Sequence, residues 1–126
     1  MGSKVMLVED DRNLREAVAE VLRIEGFEPV CAADGQEALD YLGAGERPGL
    51  ILLDLMMPTM DGERFRAEQL KRPGLKSIPV VILSARTDTP RLARRLDCPY
   101  LTKPFEVGAL LDTVKRYSSD QQVLSA

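Results

Sequence analysis

The feature that most constrains the fold is a run of four aliphatic residues, Leu50, Ile51, Leu52 and Leu53, that stops at a carboxylate, Asp54. Successive side chains of a strand point to opposite faces, so an unbroken apolar run needs cover on both sides. That is the situation of an inner strand in a parallel sheet flanked by helices. Pro58, Asp61 and Gly62 follow closely as loop punctuation. A carboxylate at the carboxyl end of such a strand, opening into a loop, lies where open α/β sheets place their ligands. Locally two readings stay open: Asp54 belongs to a ligand site, or it only ends a strand, forms a turn or caps a helix.

A second stretch is built in the same way. Residues 5–8 are apolar and stop at three adjacent acids, Glu9, Asp10 and Asp11. Carboxylates gathered together repel one another, so a fold that brings these up to Asp54 calls for a cation. An oxygen-only ligand set suits a hard ion, and partly hydrated Mg2+ is the natural candidate, with Mn2+ as an alternative. Asp11, followed by Arg12, Asn13 and Leu14, reads better as the N-cap of the next helix.

Composition narrows the function classes. A chain of 126 residues fits one domain with its own core. Its 17 basic and 20 acidic residues give a net charge of -3, so no basic footprint predicts direct nucleic-acid binding. No apolar run reaches the length of a membrane span and no signal peptide opens the chain, which predicts a cytoplasmic protein without membrane association. The chain has no histidine, which excludes thiolate–histidine catalysis and histidine-ligated metals. Cys31 and Cys98 then read as small core residues in a reducing compartment.

Taken in order, short apolar runs alternate with amphipathic stretches. Residues 13–25 carry Leu14, Ala17, Val18, Val21 and Leu22 at helical spacing and stop at Gly26. A strand is expected over residues 27–32. Asp34 and Glu37 resemble a capping box and start a helix through Leu42. After the Asp54 loop, residues 62–71 read as a helix with Phe65 and Leu70 inward. Residues 79–83 form a strand finishing in Ser84 and Ala85, and residues 90–96 a short helix. A last strand over residues 99–102 runs into Lys103, Pro104 and Phe105. Residues 106–117 close the domain as a helix with Val107, Leu110, Leu111 and Val114 inward, and residues 118–126 read as a fraying tail or the end of that helix. Five strands and five helices in strict alternation predict a parallel sheet with right-handed crossovers and helices on both faces. Functional residues should then converge at the strand ends, four of which carry Glu9 with Asp10, Asp54, Ser84 and Lys103.

In combination and in this order, these motifs resemble the receiver domain of bacterial two-component response regulators, over residues 4–117. The resemblance implies a flavodoxin-like doubly wound (βα)5 fold with strand order 2-1-3-4-5, the order of chemotaxis receivers. It implies that Asp54 is the phosphoacceptor, taking a phosphoryl group from a histidine kinase or a histidine-phosphotransfer protein. It implies a Mg2+ site of Glu9, Asp10, Asp54 and the Met56 backbone carbonyl, with Lys103 and Ser84 contacting the phosphoryl group. Ala85, Met56 and Arg86 would border its access, and Ser84 and Tyr100 would form the switch pair. A cis Lys103–Pro104 peptide is also implied. The family signals to partners through the surface of its fourth helix, fifth strand and fifth helix, and is not a dedicated enzyme.

One stretch departs from the pattern. Between Ser84 and Lys103 the chain is a few residues shorter than the usual receiver, and the usual glycine-alanine before the last strand is replaced by Asp97, Cys98 and Pro99. A short, shifted or mobile fourth helix is expected. Two other readings remain in view: a receiver fragment of a larger regulator with a DNA-binding or enzymatic output domain, and a phosphorylation-independent interaction module. A hydrolase using Asp54 is less consistent, because aspartyl phosphatases usually carry a second acid where this chain has Met56. Oligomeric state is not legible.

Overall fold

In the computed structural model, which describes residues 3–57 and 60–118, strands and helices alternate throughout. They are β1 (Lys4–Val8), α1 (Arg12–Ile24), β2 (Glu28–Ala32), α2 (Gly35–Gly43) and β3 (Leu50–Asp54), followed by α3 (Gly62–Leu70), β4 (Val80–Ser84), α4 (Thr89–Leu96), β5 (Tyr100–Thr102) and α5 (Val107–Tyr117). All strand pairs are parallel and the order is β2-β1-β3-β4-β5. Pro58, read as loop punctuation, lies outside the described residues, as does all of the tail expected over residues 118–126 except Ser118, which is buried.

The alternation of side chains divides the central strands between two main cores, and Ile82 of β4 joins Leu55 in a smaller third cluster against Leu92 and Ala93 of α4. Met6, Val8, Ile51, Leu53 and Val80 face α2 and α3 with Leu39 and Phe65. Val5, Leu7, Leu50, Leu52, Val81 and Leu83 face α1 and α5 with Val18, Leu22, Leu110 and Val114. β3 and β4 are buried along their whole length, as unbroken apolar runs require. Local chemistry sets the helix starts. Asp11, Asp34 and Asp61 each accept a hydrogen bond from the N–H three residues on, at 3.2, 2.8 and 2.9 Å. Glu37 closes its capping box one residue early, accepting from the Ala33 N–H at 2.9 Å. Gly26 ends α1 at φ 92, a conformation open to glycine.

Helix four is short, as expected, at eight residues. Its last turn is closed by Asp97 in the left-handed region at φ 56. Three inward assignments are corrected. Ala17 is exposed and Ala19 takes its place in the core. Leu70 is 47% exposed while its neighbour Gln69 is fully buried. Val107 is 54% exposed, because α5 packs through Leu110 and Val114 one turn further on. Among the described residues no helix is long and apolar enough to cross a membrane.

Candidate functional site

Parallel pairing brings four strand ends to one edge of the sheet. Val8 lies level with Leu53, Asp54 with Leu83, and Ser84 with Thr102. The residues that follow therefore meet above the sheet.

Glu9 is held there by its backbone. Its N–H donates to the Ala32 carbonyl at 3.0 Å, and its own carbonyl accepts from Arg15 Nη1 at 2.8 Å. The Asp11 N–H donates to Glu9 Oε2 at 3.1 Å, so the turn that starts α1 also aims this carboxylate. Glu9 is buried and Asp10 is exposed. Asp54 is buried at 4% exposure, and its Oδ1 accepts from the Met56 N–H at 3.2 Å. Lys103, behind a cis peptide to Pro104, donates from Nζ to Glu9 Oε1 and lies 3.6 Å from Asp54 Oδ1.

The site carries more negative than positive charge. One carboxylate oxygen from each of Glu9, Asp10 and Asp54 lies within 4.8 Å of the others, and among the described residues the Lys103 ammonium is the cation paired with these carboxylates. At an effective dielectric near 20, two unit charges at such a distance repel by about 3 kcal/mol. Burial, and then the neighbouring Glu9 carboxylate, push the Asp54 pKa up to about 7, although Lys103 and the Met56 N–H pull it down. Three oxygen donors of this kind fit a hard divalent cation that keeps several waters. Beside them opens a cavity of about 440 Å³ lined by Asp10, Leu55, Met56, Met57, Asp61 and Arg86. It has room for a phosphoryl-sized group beside Leu55 and Met56, which follow Asp54 in the chain.

Ser84 is buried. Its Oγ accepts from the Arg86 N–H at 3.1 Å, a bond that leaves the hydroxyl proton to point elsewhere, and its carbonyl accepts from the Lys103 N–H at 2.9 Å. Ala85 is exposed and borders a second cavity with Asp11, Leu14, Lys103, Pro104 and Phe105. Met56, 59% exposed, and Arg86 line the first. Tyr100 is not brought to the carboxylates. It is 42% exposed and lines a separate groove with Thr102, Phe105, Glu106 and Ala109. The two cysteines are half-buried and free, with burial pushing both thiols up.

Some supporting residues carry little sequence signal. A Cβ on Gly62 would come within 2.7 Å of the Asp54 carbonyl oxygen, so the glycine lets α3 start directly against the site strand. Gly35 does the same against Met60, where a Cβ would meet the carbonyl oxygen at 2.8 Å. Asp88 grips the Arg86 guanidinium. The adjacent Asp and Gly at 61 and 62 were legible as a turn, but the close approach was not.

Comparison with known proteins agrees with this geometry. The family model for the response regulator receiver domain matches residues 5–115. The response regulator protein FleR of Pseudomonas aeruginosa is 40% identical over 124 residues, a match covering 96% of this chain and 26% of that protein. Among solved structures, the chemotaxis protein CheY4 of Vibrio cholerae superposes with a TM-score of 0.84 at 30% identity, covering 93% of this chain and 99% of that one. The phosphorylated cyanobacterial phytochrome response regulator RcpA superposes with a TM-score of 0.79 at 32% identity, covering 95% and 96%. The chain spans from 26% to 58% of the length of such curated relatives.

Proposed function

The chain belongs to the response regulator receiver domain family of two-component signalling, and on that premise we propose that Asp54 accepts a phosphoryl group in a divalent-cation-dependent reaction. The donor is the phosphohistidine of a histidine kinase or a histidine-phosphotransfer protein. One observation supports this reading: buried Asp54 lies together with the acidic pair Glu9 and Asp10, and the Lys103 ammonium that pairs with Glu9 is 3.6 Å from its Oδ1. Phosphoryl transfer demands little beyond positioning and neutralisation of charge, and these side chains supply both.

In the transfer an Asp54 carboxylate oxygen forms a bond to phosphorus as the phosphorus–nitrogen bond to the donor imidazole breaks. Asp54 must be ionised to attack, and Lys103 beside it favours that state. Glu9, Asp10, Asp54 and the Met56 carbonyl would hold Mg2+, which when bound neutralises charge on the phosphoryl oxygens. Lys103 then pairs with one phosphoryl oxygen and the Ser84 hydroxyl donates to another. Ala85 is small and leaves room, and Met56 and Arg86, which line the first cavity, set how readily water reaches the product. Tyr100 is the switch ring, read together with the α4, β5 and α5 surface by a downstream protein. The receiver occupies residues 4–117, acts in the cytoplasm, and turns over no external metabolite.

The share of each relative that is covered favours a second reading of the context: the same receiver working as one part of a larger regulator. The chemistry at Asp54 is the same in either case. Intact mass after incubation with Mg2+ and a small acyl phosphate tests it, beside Asp54→Asn. The expected result is one phosphoryl adduct on the wild type, lost without Mg2+ and in the variant. An adduct that persists in the variant would refute the assignment. Absence of an adduct together with failure to bind beryllium fluoride would turn the reading to a phosphorylation-independent interaction module.

A further inference from the structure

Arg86 lines the cavity shared with Asp10, Asp61 and the two residues that follow Asp54, Leu55 and Met56. Its backbone is pinned, the N–H donating to Ser84 Oγ at 3.1 Å and the carbonyl accepting from Thr89 Oγ1 at 2.7 Å. Its side chain is gripped by Asp88 through two parallel bonds, Nε to Oδ1 and Nη2 to Oδ2, both 2.9 Å. The pairing holds the Asp88 carboxyl below its ordinary pKa. A bidentate guanidinium recognises carboxylates and phosphoryl groups alike, so a phosphoryl group in the cavity is an equivalent partner.

Asp88 also occupies the N-cap position of α4, where an aspartate ordinarily accepts from an N–H of the first turn. Here it makes no such bond; its oxygens go to Arg86 and, at 3.5 Å, to Arg91 Nη2. Pro90 has no N–H, which leaves the Arg91 N–H as the one Asp88 would cap. The other carboxylates facing Arg86, Asp61 and Glu63, add to the field on its guanidinium, and Glu63 is itself paired with Arg95 of α4.

We propose that Asp88 is a positioning residue that latches Arg86 at the rim of the site, and that a phosphoryl group on Asp54 takes over the guanidinium and leaves Asp88 to cap α4 at the Arg91 N–H. The inference rests on the reading of Asp54 as the phosphoacceptor. The exchange keeps an oxyanion on Arg86 in both states, so neither state strands the cation. It ties occupancy of the site to the first turn of the short helix α4 through two side chains.

The test uses beryllium fluoride with Mg2+ as the phosphoryl mimic, on the full chain, with affinity measured by titration calorimetry. Asp88→Asn keeps the capping oxygen but loses the charge that holds Arg86. It should tighten binding by about two- to fivefold, the size of one part-exposed ion pair. In an Arg86→Ala background Asp88→Asn should have no further effect. Amide exchange at Arg91 should slow on adding the mimic to the wild type and not in Asp88→Ala, a readout that a merely structural role would not produce. Unchanged or weaker binding by Asp88→Asn, or tightening that survives Arg86→Ala, would overturn the latch. A wild type that binds no beryllium fluoride would instead defeat the phosphoacceptor reading beneath it.

Discussion

Asp54 has a pKa near 7 in the folded chain and an ordinary carboxylate value near 3.8 once unfolded. Between those values the folded state holds a proton that the unfolded state has released, so the contribution is fully present below about pH 4 and is lost as pH rises through 7. Without divalent cations, urea denaturation should show the wild type losing stability across that window. Asp54→Asn should remove this slope and be more stable than wild type at pH 8 by roughly 1–3 kcal/mol; parallel pH profiles would show that the acid's environment is not as described. At the proposed Mg2+ site protons and the cation would compete for the same oxygens, so Mg2+ affinity should rise about tenfold from pH 6 to pH 8, a range in which Asp54 goes from about a tenth to about nine-tenths ionised. Gly62 contributes by absence. An alanine there would place a Cβ 2.7 Å from the Asp54 carbonyl oxygen and 2.8 Å from Leu55 Cα, both backbone atoms that cannot yield cheaply. Gly62→Ala should cost about 1–3 kcal/mol in the same denaturation experiment and weaken Mg2+ binding, because the displaced strand end carries the site.

Helix α3 shows why the sequence was a good guide to elements and a poorer one to their faces. Its inner face is Gly62, Phe65, Arg66 and Gln69, spaced as a buried helical stripe should be, yet Phe65 is the one large apolar member. Apolar spacing therefore pointed to Leu70, which is solvent-facing, and passed over Gln69. What makes Gln69 fit is a hydrogen-bond set that only the folded chain reveals. Its amide donates to the Leu75 and Ile78 carbonyls at 2.9 and 3.0 Å, and its oxygen accepts from Arg66 Nη1 at 2.9 Å. Arg66 in turn donates from Nε to the Leu96 carbonyl in the last turn of α4, at 3.3 Å. Gln69→Ala should thus destabilise by roughly 2–3 kcal/mol, more than truncating an apolar side chain of that size at the surface, since it removes the amide from the Ile78 carbonyl and takes one bond each from the Leu75 carbonyl and the Arg66 guanidinium, which keep their bonds to the Ile78 N–H and the Leu96 carbonyl. Chemical denaturation against Leu70→Ala, expected within about 0.5 kcal/mol of wild type, separates the two positions. By contrast the five strand-end residues were legible, because a carboxylate, hydroxyl or ammonium that terminates an apolar run has no reason in packing to be there. Asp88 escaped notice for the opposite reason: in a stretch with four arginines, an aspartate two residues ahead of a proline reads only as a turn or cap.

Across the whole molecule the site works as a clasp over the sheet. Glu9 follows β1, Asp54 ends β3 and Lys103 follows β5, so one ammonium links three strands, including the outer strand β5, which is three residues long and pairs with β4 alone. The strand order that produces this meeting came from the family resemblance, since alternation of elements establishes a parallel sheet without saying which strands are neighbours. On the proposed Mg2+ site, Lys103 and the divalent cation would do overlapping electrostatic jobs, each offsetting the acids that the sheet brings together. Lys103→Met removes the ammonium and keeps most of the apolar stem. In the absence of divalent cations it leaves buried Glu9 without its ion pair and should lower global stability by roughly 2–4 kcal/mol. The same loss makes the site more attractive to Mg2+, so the cation should bind the variant several-fold more tightly than wild type. A tenfold gain in affinity adds about 1.4 kcal/mol at a fixed saturating concentration, so Mg2+ should stabilise the variant more than the wild type and close part of the gap. Urea denaturation of both proteins, with Mg2+ and with a chelator, measures the four free energies needed. Equal stabilisation of the two by Mg2+ would mean that Lys103 and the cation do not act on the same charges, and the clasp would have to be given up.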